Sequence, residues 1–176
     1  IAAWLLFITL SETGQDPVST TSNSPLVNDP DALLPTIPAT LFYVAEQGTV
    51  LVGREHAVPE DVATTNQARL LIEQQLLPPE PPLTSALPEG TTLLGVYISD
   101  RGDAFVDFSR EINTEHSGGS LEELFTIYAI VNTLTVNLPS ITGVQILIEG
   151  QEVDTLAGHI DLRRPLAQSL KWVEPL

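Results

Sequence analysis

The side chains able to do acid, base or nucleophilic chemistry are few and scattered along this chain. Histidine occurs at three separate positions, His56, His116 and His159. None of the short spacings that bring two imidazoles onto one zinc ion is present. A serine triad could be drawn only from Ser109 or Ser117 with His116 and Asp107, and no nucleophile-elbow pattern accompanies them. The sequence therefore predicts no catalytic residues, no metal and no cofactor.

A glycine pair before a predicted helix offers the one candidate ligand site. Gly118, Gly119 and Ser120 would present free backbone N–H groups where the helix dipole favours an anion. The same residues are also explained by Ser120 capping the helix while the glycines let the chain turn. Both interpretations stay open, and the negative charge of the chain opposes a bound anion.

The turn at residues 100–103 places two aspartates beside a glycine and resembles half of a calcium-binding loop. It lacks a third acidic position and the distal glutamate of such a loop. We favour an ordinary hairpin turn, because turns need residues such as Gly102 that accept a positive φ.

Composition excludes several classes of function. The 176 residues include 23 acidic and 7 basic side chains, for a formal net charge of -16. Such a chain repels phosphate backbones and anionic lipid headgroups, so neither nucleic acid nor a membrane surface is an expected partner. The sequence contains no cysteine, which excludes disulfides, thiolate catalysis and lipid attachment to cysteine within it.

Two N-terminal segments precede the predicted domain. Residues 1–10 are apolar apart from Thr9, and the chain turns polar from Ser11. A bilayer span takes about 20 apolar residues. We therefore interpret residues 1–10 as the end of a signal-anchor helix or of a cleaved signal peptide, with a short element that caps the core as the alternative. Residues 11–38, rich in Ser, Thr, Pro and Asp, are typical of a flexible acidic linker.

The remaining sequence alternates pairs of strands with helices. Period-two patterns around short turns predict strand pairs at residues 40–45 and 49–52, 91–99 and 104–109, and 144–148 and 153–156. This order predicts an α+β fold, in which one small domain has a mixed sheet with two helices packed on one face. The domain is expected to cover residues 39–166, followed by a C-terminal tail at residues 167–176.

Helical spacing of apolar residues predicts one helix that ends before Pro78 and a second that follows Gly119. Capping boxes are predicted at both helix starts, Thr64 with Gln67 and Ser120 with Glu123. Residues 78–90 are rich in proline and predict a stiff, extended surface connection.

Several stretches together resemble one known family. They are LTSALPEGT at 83–91, LGV at 94–96, VDFS at 106–109, GGS at 118–120, Tyr128, VNTLT at 131–135, VQILI at 144–148, Gly150, LAGHID at 156–161 and Pro165-Leu166. This set resembles the GerMN domain, also called the sporulation and spore germination domain. The resemblance covers about residues 39–166.

The resemblance implies an extracytoplasmic bacterial module with a small fold similar to ring-building assembly domains. Such modules are usually tethered by a lipoprotein anchor or a single membrane segment. No catalytic residues are established for them, so the resemblance assigns none here. Because this sequence lacks a lipidation cysteine, the resemblance makes residues 1–10 the expected means of membrane anchoring or secretion.

Six residues of these stretches are expected to have structural roles, namely Gly95, Asp107, Ser109, Asn132, Gly158 and His159. Gly95 would allow a bulge or a close approach of a packed helix. Asp107 would hydrogen-bond a loop amide or face water, and Asn132 would be a satisfied polar residue of the core. Gly158 would let the chain change direction, with His159 bonded to the sheet end.

These observations favour a non-enzymatic module for protein interaction or envelope assembly at the outer face of a bacterial membrane. Its partners would be other envelope proteins or further copies, contacted through a sheet edge or through the proline segment at residues 78–82. The alternative is a cell-wall (peptidoglycan) binding module that uses exposed aromatic residues such as Tyr43, Tyr97 or Trp172. An enzyme is the least favoured class, because no paired nucleophile and base are present.

Overall fold

The structure is a computed structural model, and it describes residues 35–175. Within this range the elements follow in the order β1 (Thr36–Val44), β2 (Leu51–Pro59), α1 (Thr64–Gln75), β3 (Leu93–Ile98), β4 (Asp103–Phe108), α2 (Glu111–Thr114), α3 (Ser120–Asn137), β5 (Gly143–Ile148) and β6 (Gln151–Glu152). The apolar segment at residues 1–10 lies outside the described residues, as does the predicted linker up to residue 34.

The main sheet has the strand order β3-β4-β5-β6. β4 and β5 run parallel, whereas the two outer pairs are antiparallel, which confirms the predicted mixed sheet. Ala104, Val106 and Phe108 of β4 are buried and alternate with half-buried residues. This alternation is that of a strand with one face against the core. The connection from β4 to β5 contains α3, because parallel neighbours need a long crossover.

The predicted strand at residues 153–156 is wrong. β6 contains only Gln151 and Glu152, and the chain then leaves the sheet. Leu156 instead donates its backbone N–H to the Glu123 carboxylate of α3, at 2.9 Å. Because each residue has a single backbone donor, an N–H committed to a helix side chain cannot extend a sheet ladder.

β1 and β2 form a separate antiparallel hairpin rather than part of the main sheet. Each strand has nine residues and is longer than predicted. In the sequence, Pro38 and the polar run at residues 54–56 interrupt the apolar pattern. Both are exposed or half-buried in the hairpin and leave its register unbroken. β1 begins at Thr36, within the segment predicted as linker.

The two long helices contact strands of both sheets, so they lie between the hairpin and the main sheet. In the middle of α3, burial extends around nearly the whole helix, including Phe125, Ile127, Ala129, Ile130, Val131 and Leu134. A helix that is apolar on all sides is typical of a core helix rather than a surface one. The single apolar stripe predicted from the sequence therefore understates how deeply α3 is buried.

Neither predicted capping box forms. The residues that precede the first turns are Ala63 for α1 and Gly119 for α3, and neither helix has a side-chain cap. Gln67 holds the chain before α1 instead, because its side-chain amide donates to Pro59 O at 3.1 Å and accepts from Asp61 N at 2.7 Å. These contacts fix the path of the chain from β2 into the helix.

Side-chain amides close the outer edge of β1. Asn137, at the end of α3, accepts a hydrogen bond from Thr40 N at 2.8 Å and donates to Thr40 O at 2.7 Å. Gln75, at the end of α1, does the same for Phe42, at 2.9 and 2.7 Å. Each primary amide thus imitates the backbone of a neighbouring strand. The two contacts attach the hairpin to both helices.

Two segments without regular structure pair with the ends of β1 and β2. Val44 exchanges hydrogen bonds with Thr84 of the proline-rich connection, at 2.9 and 3.1 Å. On the other strand, Leu51 accepts from Glu174 N at 2.8 Å and donates to Trp172 O at 2.7 Å. Residues of the predicted C-terminal tail therefore pair with β2.

Replacing Gln75 with alanine is expected to lower the free energy of unfolding by about 2–4 kcal/mol, because the buried N–H and C=O of Phe42 lose their partner. The midpoint of urea denaturation measures this change. Gln74→Ala is the matched control, since Gln74 is half-buried in the same turn and its side chain makes no hydrogen bond among the described residues. An equal loss in both variants would contradict the role assigned to Gln75.

Candidate functional site

Two residues of the hypothetical serine triad, Asp107 and Ser109, are engaged elsewhere in the structure, whereas the alternative Ser117 is exposed and lines a cavity together with His116. Asp107 Oδ1 accepts the backbone N–H of Gly150 at 2.8 Å. Ser109 Oγ accepts the backbone N–H of Thr92 at 3.0 Å. Both contacts tie the ends of strands to loops, and neither leads to a histidine. The role of Asp107 is that of a residue that holds a loop amide.

His116 has both ring nitrogens occupied. Its Nδ1 accepts the backbone N–H of Gly118 at 3.0 Å, so Nε2 carries the proton. Nε2 then donates to Thr126 Oγ1 at 3.2 Å, and that hydroxyl donates to Ala86 O at 2.6 Å. This chain of bonds joins the start of α3 to the proline-rich connection. It leaves no free nitrogen to act as a general base.

Tyr43 was predicted as an exposed aromatic, and this prediction is wrong, because its side chain is only 1% exposed. Its hydroxyl lies 3.2 Å from His56 Nε2. Burial raises the pKa of Tyr43 to about 12. Tyr43 and His56 contribute to the lining of a groove bordered by the proline segment at residues 78–82. Among residues 35–175, no group of three His, Asp or Glu side chains could hold a metal ion.

The predicted anion site at the start of α3 is surrounded by acidic side chains. Gly118 and Gly119 adopt positive φ angles of 82° and 91°, and Ser120 is the first helical residue. A side chain at Gly119 would clash with the carboxylate of Glu122. Glu115 and Glu122 both line the adjoining cavity of about 360 Å³. These charges oppose an anion, so the glycines serve the turn into the helix.

Glu123 is the most highly connected polar side chain of the described residues. It is completely buried in α3. One carboxylate oxygen accepts the backbone N–H groups of Leu156 and Ala157, both at 2.9 Å. The other accepts the backbone N–H of His159 at 2.8 Å and its Nδ1 at 2.9 Å. Gly158, with a φ of 94°, lets the loop fold around the carboxylate.

The pKa of Glu123 reflects two opposing effects. Burial raises the pKa, but the backbone N–H groups of Ala157 and His159, the His159 side chain and the Ile160 backbone lower it, and the net shift is downward. Donors that favour the ionised form therefore outweigh desolvation. The sequence placed His159 at the sheet end, whereas the structure places it on the carboxylate of α3.

Two other predicted structural residues have well-defined surroundings. Asn132 is fully buried, donates to Ser169 O at 2.9 Å and accepts from Ser169 N at 3.1 Å. Gly95 lies next to an irregularity in the pairing of β3 with β4. A Cβ at Gly95 would lie 3.0 Å from the ring of Tyr97, so the glycine makes room for that ring.

Comparison with known families identifies the domain. A family model named Germane, described as sporulation and spore germination, matches residues 40–154. The chain belongs to the Germane family. The matched residues include all of α1, α3 and the main sheet. No curated protein sequence matches this Germane chain significantly.

Solved structures share the Germane fold. A predicted lipoprotein from Clostridium perfringens is 24% identical with a TM-score of 0.54, over 75% of this chain and 87% of that one. The tandem GerMN domains of the sporulation protein GerM from Bacillus subtilis are 23% identical with a TM-score of 0.58, over 75% and 46%. The first GerMN domain of GerM is 21% identical with a TM-score of 0.53, over 76% and 96%. Identities this low show a shared fold, which confirms the predicted fold class.

The most exposed apolar surface on the main sheet of this Germane domain lies on β3. Leu94 is 49% exposed and Tyr97 is 63% exposed. β3 is one of the two outer strands of this sheet, and no strand of residues 35–175 pairs with its free side. We call this the β3 surface, defined by Leu94, Tyr97 and Ile98, since Val96 between them is only 5% exposed. No helix in the described part of the chain is long and apolar enough to cross a bilayer.

Replacing Glu123 with glutamine is expected to destabilise the domain by about 2–4 kcal/mol, because an amide group would face two of the four donors. Urea denaturation measures the loss, and amide hydrogen exchange at Leu156 and Ala157 should quicken. The neighbouring Glu122→Gln, at an exposed position, is the control. Unchanged exchange in the loop would show that Glu123 does not hold it.

The lowered pKa of Glu123 also predicts a dependence of stability on pH. The ionised form is favoured in the folded state, so its contribution is fully present above the ordinary pKa of 4.5 and is lost as the pH falls below it. The difference in urea midpoint between the wild type and Glu123→Gln should therefore be constant near neutral pH and shrink below pH 4.5. A difference that grows on acidification would contradict this assignment.

Proposed function

We propose that this Germane protein is a non-enzymatic module for protein interaction or envelope assembly on the outer side of a bacterial cytoplasmic membrane. The β3 surface carries this proposal. It presents exposed Leu94 and Tyr97 on an outer strand that pairs with β4 on one side and with no strand of the described residues on the other. Apolar side chains beside an unpaired sheet edge are typical of surfaces that bind another polypeptide.

The polar side chains supply the second line of support. His116, Asp107, Ser109 and Glu123 all hold parts of the fold together, with their hydrogen-bonding atoms directed at loops and strand ends. A catalytic group must instead present its reactive atom to an open site. Their use within the fold favours binding over chemistry.

Attachment to the membrane is proposed through the N-terminal segments. Residues 1–10 would act as the end of an anchor or as a secretion signal, and residues 11–34, which precede the described part of the chain, as a flexible spacer. A flexible chain of that length has a root-mean-square span of about 30 Å. The net charge of -16 would keep the domain away from anionic headgroups. Membrane contact would then occur only through the N-terminal segment.

The proposed partners are other envelope proteins or further copies of this chain, and nucleic acid is not among them. Peptidoglycan binding is the second candidate, favoured by the exposure of Tyr97 and of Trp172, which is 40% exposed. These two aromatic residues lie on separate elements, one in β3 and one in the C-terminal segment. Sugar-binding platforms usually group their aromatic residues, so protein interaction remains the leading proposal.

Crosslinking in native membranes followed by affinity purification of the full chain tests the proposal. We expect envelope proteins to be recovered, and the yield to fall when Tyr97 and Leu94 are both changed to lysine. Sedimentation with purified peptidoglycan is run in parallel. Recovery with peptidoglycan alone would favour the second candidate, and recovery of neither would refute both.

A further inference from the structure

We propose that β3 receives an extended, basic segment of a partner protein, which adds to the main sheet as a further strand. This inference rests on the proposed function and names the chemistry of the partner. It follows from the backbone of β3, from the way the other strand edges are protected, from two exposed side chains and from charge.

The backbone of β3 offers free hydrogen-bonding groups. At the turn, Ser99 donates its backbone N–H to Asp103 O at 2.9 Å. Residues of an antiparallel pair alternate between facing the partner strand and facing away from it. In the register of β3 with β4, Tyr97 therefore bonds to β4, whereas Val96 and Ile98 direct their N–H and C=O groups outward. No strand of residues 35–175 lies there to receive them.

Other strand edges in this domain are closed by specific contacts. β1 is closed by Asn137, Gln75 and the Thr84 backbone. The side of β5 that faces away from β4 pairs with β6 and, at Val144, with Leu166. Even short stretches of strand edge in this domain thus have hydrogen-bond partners within the domain.

The composition of β3 also lacks the usual protection. Exposed edges normally carry charged residues or proline, which discourage pairing with other chains. β2 and β6 also have free edge residues, and both carry charge there: β2 has the exposed pair Arg54 and Glu55, and β6 has the exposed Glu152. β3 reads LLGVYI and contains neither a charge nor a proline. An apolar edge of this kind is suited to strand addition.

Leu94 and Tyr97 supply the side-chain contacts for such a strand. The Tyr97 ring packs over Gly95, with ring atoms 3.0 Å from the position of a Cβ, yet its side chain remains 63% exposed. The ring is therefore held in place by the sheet while much of its surface faces solvent. A preplaced aromatic ring loses little conformational entropy on binding, which makes it an effective anchor.

Charge decides between a second copy and a different partner. Exposed acids lie near both ends of β3, Glu89 before it and Asp100 after it, and the exposed Arg101 beside Asp100 is the one basic residue next to the strand. Two copies of a chain with a net charge of -16 would repel one another across a shared edge. A segment with lysine or arginine between its apolar residues would be attracted instead. The partner that fits is basic and extended, with apolar side chains at alternate positions.

Titration of the full chain with synthetic peptides, followed by amide NMR, tests this proposal. The probe alternates valine and lysine over about seven residues, the length of an ordinary strand. One comparison peptide has glutamate in place of lysine, and a second has proline in place of the central valine. We expect the basic peptide to shift the Val96 and Ile98 amide resonances to saturation, with binding at least tenfold weaker for both comparison peptides.

Two lysine variants with equal added charge separate strand addition from general attraction to an acidic surface. The double variant Leu94→Lys and Tyr97→Lys alters the β3 surface. The control changes two exposed apolar residues elsewhere, Val62→Lys and Leu77→Lys. We expect the first variant to bind the basic peptide at least tenfold more weakly than the control. Equal binding by the two variants, or unmoved Val96 and Ile98 resonances, would overturn the proposal.

Two further measurements test whether β3 binds a second copy of the chain and whether the β3 site and the proposed function fail together or separately. Sedimentation equilibrium that shows a dimer lost in the β3 variant but kept in the control would assign the edge to a second copy and overturn a basic partner. Membrane crosslinking with the same variants separates this inference from the proposed function. Recovery of envelope proteins by both variants equally would refute the β3 site alone, whereas no recovery by the wild type would refute the proposed function.

Discussion

The arrangement of the domain depends on the hydrogen bonds by which two side-chain amides close the edge of β1. Backbone groups in a protein interior must find partners, and a two-stranded hairpin packed on helices has none along the outer edge of β1. Gln75 and Asn137 supply them from the last turns of α1 and α3. Because both helices also contact the main sheet, the same contacts fix the position of the hairpin relative to that sheet.

Other polar residues in the core also supply hydrogen-bond partners for backbone groups of neighbouring segments. The buried carboxylate of Glu123 satisfies three backbone N–H groups of a loop that forms no regular structure. Asn132 satisfies both the N–H and the C=O of Ser169, and the Thr126 hydroxyl donates to the C=O of Ala86. The helices therefore act as sources of hydrogen bonds for irregular segments as well as apolar surfaces. This explains how a small domain can contain long irregular segments without leaving their backbones unpaired.

The sequence predicted the features that local patterns determine. The alternation of Ala104, Val106 and Phe108 identified β4, and the glycine pair marked the start of α3. The misassignments share one cause, which is that long-range contacts override local signals. Glu123 has the spacing of a capping residue but bonds to a loop 33 residues away. Nothing in the local sequence distinguishes Gln75, which closes a strand, from Gln74, which does not. The β3 surface was predictable only as a general sheet edge, because the strand order decides which edge is outermost.

The closure of β1 by α3 has a consequence for folding during synthesis. The hairpin leaves the ribosome early, yet the amide that completes its edge at Thr40 belongs to Asn137, 97 residues later. Domains whose contacts join distant parts of the chain fold slowly, and unpaired strand edges in partly made chains favour aggregation. The nascent hairpin is therefore an incomplete structure until α3 is synthesised.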